Sequence, residues 1–449
     1  MKSLIKWYTS KSILLRILAA VIIGSAVGCV LWYISSTTGK PVALEAMPWI
    51  SPFGMVLVNM LKMIVIPVIF FSLIVGAASL PISRFGAIGL KVIGWYIATS
   101  FLAAIIGVLL ALAINPGSGA TIEGWQEIAK SLGGAAEGLA DTARSGGTFV
   151  DMLVGMFQNP FEALSSGNFL AIIVFSLMFG LSIRIIIESA HEPKRIERME
   201  TLIGLLSGIR DAIFKMVDWI LEYAPIGVLA LSIVNFGVYG PSIVGPYVSV
   251  TLGVISGILC MMLVVYPVLL ALVTKRNPFR ALKNMEQAIL TAFITRSSAA
   301  TLPVTIRTVE ERLRVKNELA SFSLPLGATI NMDGVCVHLP MFAVLAANMF
   351  DVRLGVGGLV MLVVTTVLAS IGAGGVPGGS LMLLFIVLGN MGLDGAQVAV
   401  IVALALGINP ILDMFETANN VTGDMVCTYA VATQEGLIEE ENPQRSESS

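Results

Sequence analysis

The sequence predicts an all-α polytopic membrane protein, and three observations carry that prediction. Of 449 residues, 56% are hydrophobic and only 12% are charged, about half the usual charged share. The mean hydropathy is +0.89, which means more apolar side chain than a water-soluble core of this length can hide. The apolar residues come in long runs that follow one another across short polar breaks. The same composition excludes a disordered chain, a fibre and a disulfide scaffold. A net charge of −2 points to neither nucleic acid nor an acidic ligand as partner. Cys29, Cys260, Cys336 and Cys427 lie far apart, mostly in apolar runs, and read as small core residues. His191 and His338 are the two histidines, too few to make a histidine-based metal site by themselves.

The elements follow in order. Lys2, Lys6, Lys11 and Arg16 surround the start of an apolar run from Ile13 to Ile34. That run is too long for a signal-peptide core and lacks a clean cleavage site, so it reads as an uncleaved first helix. Further spans are expected near 53–80, 86–114, 148–187, 209–238 and 242–273. Several exceed the ~20 residues that cross ~30 Å of hydrocarbon, so they must be tilted, kinked or broken. Pro67 and Pro225 are candidate kinks. The 115–148 stretch, rich in Gly and Ala with Glu123, Glu127, Glu137 and Asp141, reads as an external loop. The acidic, polar stretch after Glu435 reads as a disordered cytoplasmic tail.

Charge sets the topology. Most of the 27 Lys and Arg residues fall in the N-terminus and in the breaks 84–91, 184–215, 275–283 and 307–316, which places these in the cytoplasm. The breaks at 275–283 and 307–316 then lie on the same side. The segment 285–306 must therefore enter and return as a re-entrant hairpin, with Arg296 to Ser298 near its tip. By the same logic 352–390 is a second hairpin entering from outside, with GAGGVPGG at its tip.

Beyond residue 275 small and polar residues interrupt the apolar runs, at 295–301, in GATINMDG (327–334), in SIGAGGVPGGS (370–380) and in DMFETANNVTGD (413–424). Non-helical backbone at membrane depth is tolerated only when it is buried in protein or faces a water-filled cavity. Paired broken segments of this kind mark transporter binding sites. Four carboxylates, Asp333, Asp413, Glu416 and Asp424, lie deep in these segments, and intramembrane carboxylates default to function. Structural ion pairing is the alternative, but only Arg296 is near in sequence. At about 100° per residue, Asp413, Glu416, Thr417, Asn420 and Asp424 fall within an arc of about 100°. Such a stripe lines a cavity and suits a hard cation such as Na⁺; interhelical hydrogen bonding is the other reading. In Asn331-Met332-Asp333-Gly334, local unwinding helped by Gly327 and Gly334 would free side chains and carbonyls for ions. The glycine-rich tip is not a phosphate loop, because it lacks GK[ST] and a preceding strand. An aspartyl-protease dyad of Asp413 and Asp424 is excluded by spacing, since they sit roughly 16 Å apart along one helix and a dyad needs contact. A passive channel is the third option.

The motifs RSSAATLPVT (296–305), LPLGATINMDG (324–334), ASIGAGGVPGG (369–379) and NNVTGD (419–424), in this order, make the chain similar to the dicarboxylate/amino acid:cation symporters. That family includes archaeal aspartate and mammalian glutamate transporters, and the resemblance covers essentially the whole chain. It implies eight transmembrane helices, two re-entrant hairpins, a homotrimer and an elevator-type transport domain moving against a scaffold, with the second hairpin as extracellular gate. The implied division is scaffold at 1–85 and 148–274, and transport domain at 86–147 (with the external loop) and 275–435. The last part holds the two hairpins and broken seventh and eighth helices, and 436–449 is a cytoplasmic tail. The resemblance further implies a secondary transporter rather than an enzyme, with membrane lipid around it, no organic cofactor and no nucleic acid. The short loops and lack of targeting segments suit a prokaryotic inner membrane, and the basic-residue bias and the polar tail are read as placing both termini in the cytoplasm.

The resemblance also carries site residues, position by position. One sodium site falls on Tyr96, Thr99, Ser100, Asn331 and Asp333. A second falls on Gly327, Asn331, Asn420 and Asp424. A third uses backbone around Thr329, Met332, Ser370, Ile371 and Ala373. Every side-chain sodium ligand matches, which favours sodium over proton coupling. For substrate, the amino-group carboxylate falls on Asp413 and the carboxylate contacts on Ser298 and Asn420. Thr417, Arg296, Ser297, Gly375, Val376 and Gly378 are nearby. Two positions depart from the acidic-substrate carriers: Glu416 stands where they have Arg, and Val335 where they have Thr. Reversed charge at Glu416 would repel an acidic side chain, so the expected substrate is a small neutral amino acid (serine, threonine or alanine-like). The bacterial serine/threonine symporters look similar here. The alternatives are an acidic amino acid or C4-dicarboxylate, or a cystine or cationic amino acid.

Overall fold

Polar side chains inside apolar runs decide where this chain can stay helical and where it must turn. The computed structural model describes residues 12–78, 82–118, 154–166, 168–373, 375 and 378–439. The expected N-terminal basic cluster before Ser12, most of the 115–148 loop, Val376 and the tail beyond Glu439 lie outside the described residues. Among the described residues no strand forms, and the one β-type contact is a bridge between Val315 and Ile438.

The first helix, α1 (Ile13–Thr38), starts at Ser12, whose side chain accepts from the Leu15 amide, and ends at left-handed Gly39 (φ 66°). It is followed by α2 (Val42–Ala78), which runs through Pro48, Pro52 and Pro67, and α3 (Ile82–Ile114). The expected 148–187 span is a short α4 (Pro160–Ser166) and then α5 (Phe169–Ser189). The next helix, α6 (Pro193–Tyr239), has 47 residues and begins well before the expected 209. Its extra turns carry Lys194, Arg195, Glu197 and Arg198, so they hold helix without an apolar run. The α1, α2, α5 and α6 helices pack together. A bidentate ion pair from Arg16 to Glu222 (2.9 and 3.2 Å) ties α1 to α6. Gly24 and Gly28 let the same two backbones meet, since a Cβ on either would lie 2.7 Å from a carbonyl of α6.

The chain continues as α7 (Val244–Cys260), a π-turn (Met261–Val265) and α8 (Tyr266–Thr274). The expected division groups this segment with α1, α2, α5 and α6. In the structure α7 packs instead against α3, α12 (Asp333–Met349) and α15 (Gly395–Gln434), and α8 against α15. The reason is polar as well as apolar: Tyr266, at the head of α8, donates to Asp333 at the head of α12.

Both expected hairpin segments fold as helix–turn–helix units. The first is α9 (Pro278–Thr295) and α10 (Ser298–Glu311), turning at left-handed Arg296 (φ 54°). The second is α13 (Val356–Ser370) and α14 (Gly379–Asn390), with Gly375 (φ 65°) and Gly378 (φ 76°) in its tip. Between them α11 (Asn317–Ile330) and α12 are separated at Asn331 and Met332, whose backbones are non-helical. No such break occurs in the eighth span. Contrary to expectation, α15 is one helix of 40 residues running through Pro410. Its polar residues form a stripe on one face and need no freed backbone, and proline costs only one intrahelical donor.

Seven helical stretches among the described residues are long and apolar enough to cross a membrane. One of them, Pro193–Thr274, has 82 residues, turns at Gly240 and is long enough for two crossings. The best-buried windows lie in Asn317–Met349 (94%) and Gln397–Gln434 (78%), against 22% for the first helix. The broken α11–α12 span and α15 therefore form the centre, with α1 at the periphery. After α15 the chain turns back along the loop before α11, where Lys316 donates to Leu437 O and Glu439 to Arg314 O.

Candidate ion and substrate site

Three elements meet at the α11–α12 break. Tyr96, Thr99 and Ser100 lie on one face of α3, spaced i, i+3, i+4. Ser100 donates to Asp333 Oδ1 at 2.8 Å and Tyr266 donates to Asp333 Oδ2 at 2.8 Å. The Thr99 hydroxyl lies 3.3 Å from Asn331 Oδ1, while Asn331 Nδ2 donates to Asp424 Oδ1 at 2.9 Å. Tyr96 donates to the Ser323 carbonyl at 2.9 Å. Two glycines make the room. A Cβ at Gly327 would sit 2.5 Å from Asp424 Oδ1, and one at Gly423 would sit 2.7 Å from the Tyr266 hydroxyl and 2.9 Å from Asn331 Nδ2.

All these side chains are buried. Among the described residues neither Asp333 nor Asp424 has a Lys or Arg within ion-pair distance. An uncompensated buried carboxylate costs several kcal/mol, and a neutral donor returns only part of that. Carboxylate, amide and hydroxyl oxygens packed this way match a hard monovalent cation.

One turn away lies a small cavity of about 20 Å³, walled by Ser298, Met332, Val335, Ala373, Gly375, Gly379, Ser380, Asp413, Glu416, Thr417 and Asn420. Asp413 Oδ2 accepts from the Gly378 amide at 3.2 Å. Ser297 donates to the Gly375 carbonyl at 2.9 Å, so the two hairpin tips close on each other over the cavity. Asn420 joins cavity to cluster: its Oδ1 accepts from the Gly334 amide at 2.7 Å, and its Nδ2 lies 3.2 Å from Met332 Sδ. Glu416 is hydrogen-bonded to His338 Nδ1.

The sequence profile of the sodium:dicarboxylate symporter family matches residues 13–434. The chain belongs to that family. Excitatory amino acid transporter 3 of Homo sapiens is 32% identical over 471 residues, covering 93% of this chain and 84% of that protein. The serine/threonine transporter SstT of Bifidobacterium adolescentis is 29% identical over 421 residues, covering 93% of this chain and 89% of that one. This member of the sodium:dicarboxylate symporter family is thus a multi-pass membrane transporter and not an enzyme.

Within the symporter the structure brings the first two expected ion sets into one cluster. Of the third set, expected to act through backbone, Thr329 donates to Pro325 O, Ser370 to Val367 O and the Ala373 amide to Ser370 O. Half-buried Ile371 caps α13. Ala373 and Met332 also line the cavity. Of the expected substrate residues, Ser298, Val335, Gly375, Asp413, Glu416, Thr417 and Asn420 are in its wall. Gly378 reaches it through Asp413, and Arg296 and Ser297 form the adjoining turn. Tyr266, Gly423 and His338 are additions that the sequence reading did not assign.

Proposed function

We propose that this symporter uses the inward sodium gradient to import a small neutral amino acid of the serine, threonine or alanine kind. The observation that carries the reading is Glu416. Its side chain lines the cavity without a Lys or Arg partner among the described residues, at the position where the acidic-substrate carriers of the resembled family have arginine. A substrate carboxylate there would meet like charge in a low-dielectric site. Val335 beside it supplies an apolar wall. Asp413 is the partner for the substrate amino group, and Ser298 and Asn420 for its carboxylate.

Sodium fills the cluster of Thr99, Ser100, Asn331, Asp333 and Asp424 and neutralises its carboxylates. The loaded site lets the second hairpin close, and a partly loaded carrier is held back by uncompensated charge. The moving body comprises α3 and α7 to α15, and the static scaffold α1, α2, α5 and α6. This places 244–274 with the moving body. The scaffold holds a homotrimer in the cell inner membrane, with both termini cytoplasmic.

The test is uptake into proteoliposomes under a sodium gradient, with labelled serine competed by aspartate and succinate. Serine uptake that requires sodium is expected. Saturable aspartate uptake untouched by serine would overturn the reading in favour of an acidic substrate.

A further inference from the structure

Among the described residues the Glu416 side chain has one hydrogen-bond partner, His338, which lies outside the cavity wall. His338 lies on α12 and is wholly buried. Its Nδ1 contacts Glu416 Oε1, and its ring stacks on Phe342 with centroids 4.7 Å apart and planes 24° apart. The contact exists because α12 crosses α15 closely one turn earlier: a Cβ at Gly334 would lie 2.6 Å from Glu416 Cα. His338 Nε2 is buried and has no hydrogen-bond partner among the described residues. A histidine kept only for packing would satisfy both nitrogens or be replaced by an apolar ring; this one spends its single polar contact on Glu416. His338 is not itself in the cavity wall.

We infer that His338 is a positioning residue that sets side-chain selectivity: by holding Glu416 Oε1 it fixes Oε2 as an oriented acceptor for the substrate, which favours a hydroxyl-bearing neutral amino acid over one whose side chain carries no donor. Oε2 has no protein hydrogen bond among the described residues. An oriented carboxylate oxygen accepts from a hydroxyl donor, whereas a methyl side chain offers it nothing. The inference rests on the proposed function, because it takes the cavity to hold an amino acid.

The experiment is competition against labelled serine uptake by the full-length protein in sodium-driven proteoliposomes. Serine should bind about tenfold more tightly than alanine, the worth of one hydrogen bond to a charged group. His338→Phe keeps the ring stack and removes the hydrogen bond, so the serine-to-alanine ratio should fall towards one with the sodium half-saturation unchanged. His338→Gln retains an N–H donor and should restore the preference. A His338→Phe protein with the original ratio overturns the inference. So does an unmodified protein on which alanine competes as well as serine, a result that needs no variant to fold. Uptake of aspartate alone overturns the proposed function and the inference with it, whereas a serine carrier indifferent to His338 overturns the inference alone.

Discussion

The Asn331 amide donates a 2.9 Å hydrogen bond to Asp424, so the break between α11 and α12 is held by a carboxylate from the middle of α15. Removing that charge while keeping the shape separates ion binding from substrate choice. Asp424→Asn is expected to raise the sodium half-saturation of uptake about tenfold or more, since a charge-assisted contact is lost, and to leave the serine-to-alanine ratio alone. A sodium titration of uptake reads this, and unchanged sodium dependence rejects Asp424 as an ion ligand.

Gly423 faces the same cluster from α15. A methyl group there would press on the Tyr266 hydroxyl and on Asn331 Nδ2, 2.7 and 2.9 Å from the new carbon. Alanine is a better helix former than glycine, so Gly423→Ala should fold while losing most sodium-driven uptake. Thermal unfolding in detergent measured beside uptake tests this; full activity would show that the space around Gly423 is not needed by the ion.

Tyr266 supplies one of two hydroxyl donors to Asp333, Ser100 the other. Tyr266→Phe leaves the ring and removes the donor, at an expected cost of about 1–3 kcal/mol for a buried acceptor left short. The midpoint of unfolding should drop, and the stabilisation given by added sodium should shrink. An unaltered sodium response would mean that Asp333 is fully served by Ser100.

At the other end of the cavity, Glu416→Arg exchanges the charge presented to the substrate side chain. Competition by aspartate should strengthen and that by serine weaken, shifting their ratio by tenfold or more, as expected for about 1.4 kcal/mol or above. Serine affinity that stays constant in this variant removes Glu416 from the selectivity argument.

Ser297 both caps α10 through the Ala300 amide (3.2 Å) and holds the Gly375 carbonyl of the opposite tip (2.9 Å). Ser297→Ala gives up a cap and a tip-to-tip bond, each worth about 1 kcal/mol. Substrate affinity should fall about tenfold with the sodium-to-substrate stoichiometry maintained. Isothermal titration with serine at saturating sodium checks it, and an unchanged affinity would show that the tips close without this contact.

Much of the architecture was legible because polar residues in apolar surroundings leave few choices. Two basic breaks flanking 285–306 forced a hairpin, and the NMDG motif announced the separation at Asn331. The long α6 was hidden because its first turns are amphipathic and charged, with no apolar run to mark them. The eighth span is the opposite case: the family resemblance implies a break there, while its polar residues already share one face at about 100° per residue, as an unbroken helix requires. Tyr266 was unreadable for a different reason. A tyrosine in an apolar run looks the same whether its hydroxyl meets water or a carboxylate. The His338–Glu416 contact spans 78 residues and depends on a helix crossing at Gly334 that no local pattern encodes.

Asn420 stands in the cavity wall and also grips the first turn of α12 beside Asp333. On the proposed assignment, one side-chain amide is then common to both cargoes. Linkage makes the outcome symmetric: whatever factor sodium adds to amino-acid affinity, the amino acid must return to sodium affinity. Cooperativity in this carrier would then be a matter of neighbours sharing a residue, with no signal travelling between distant sites.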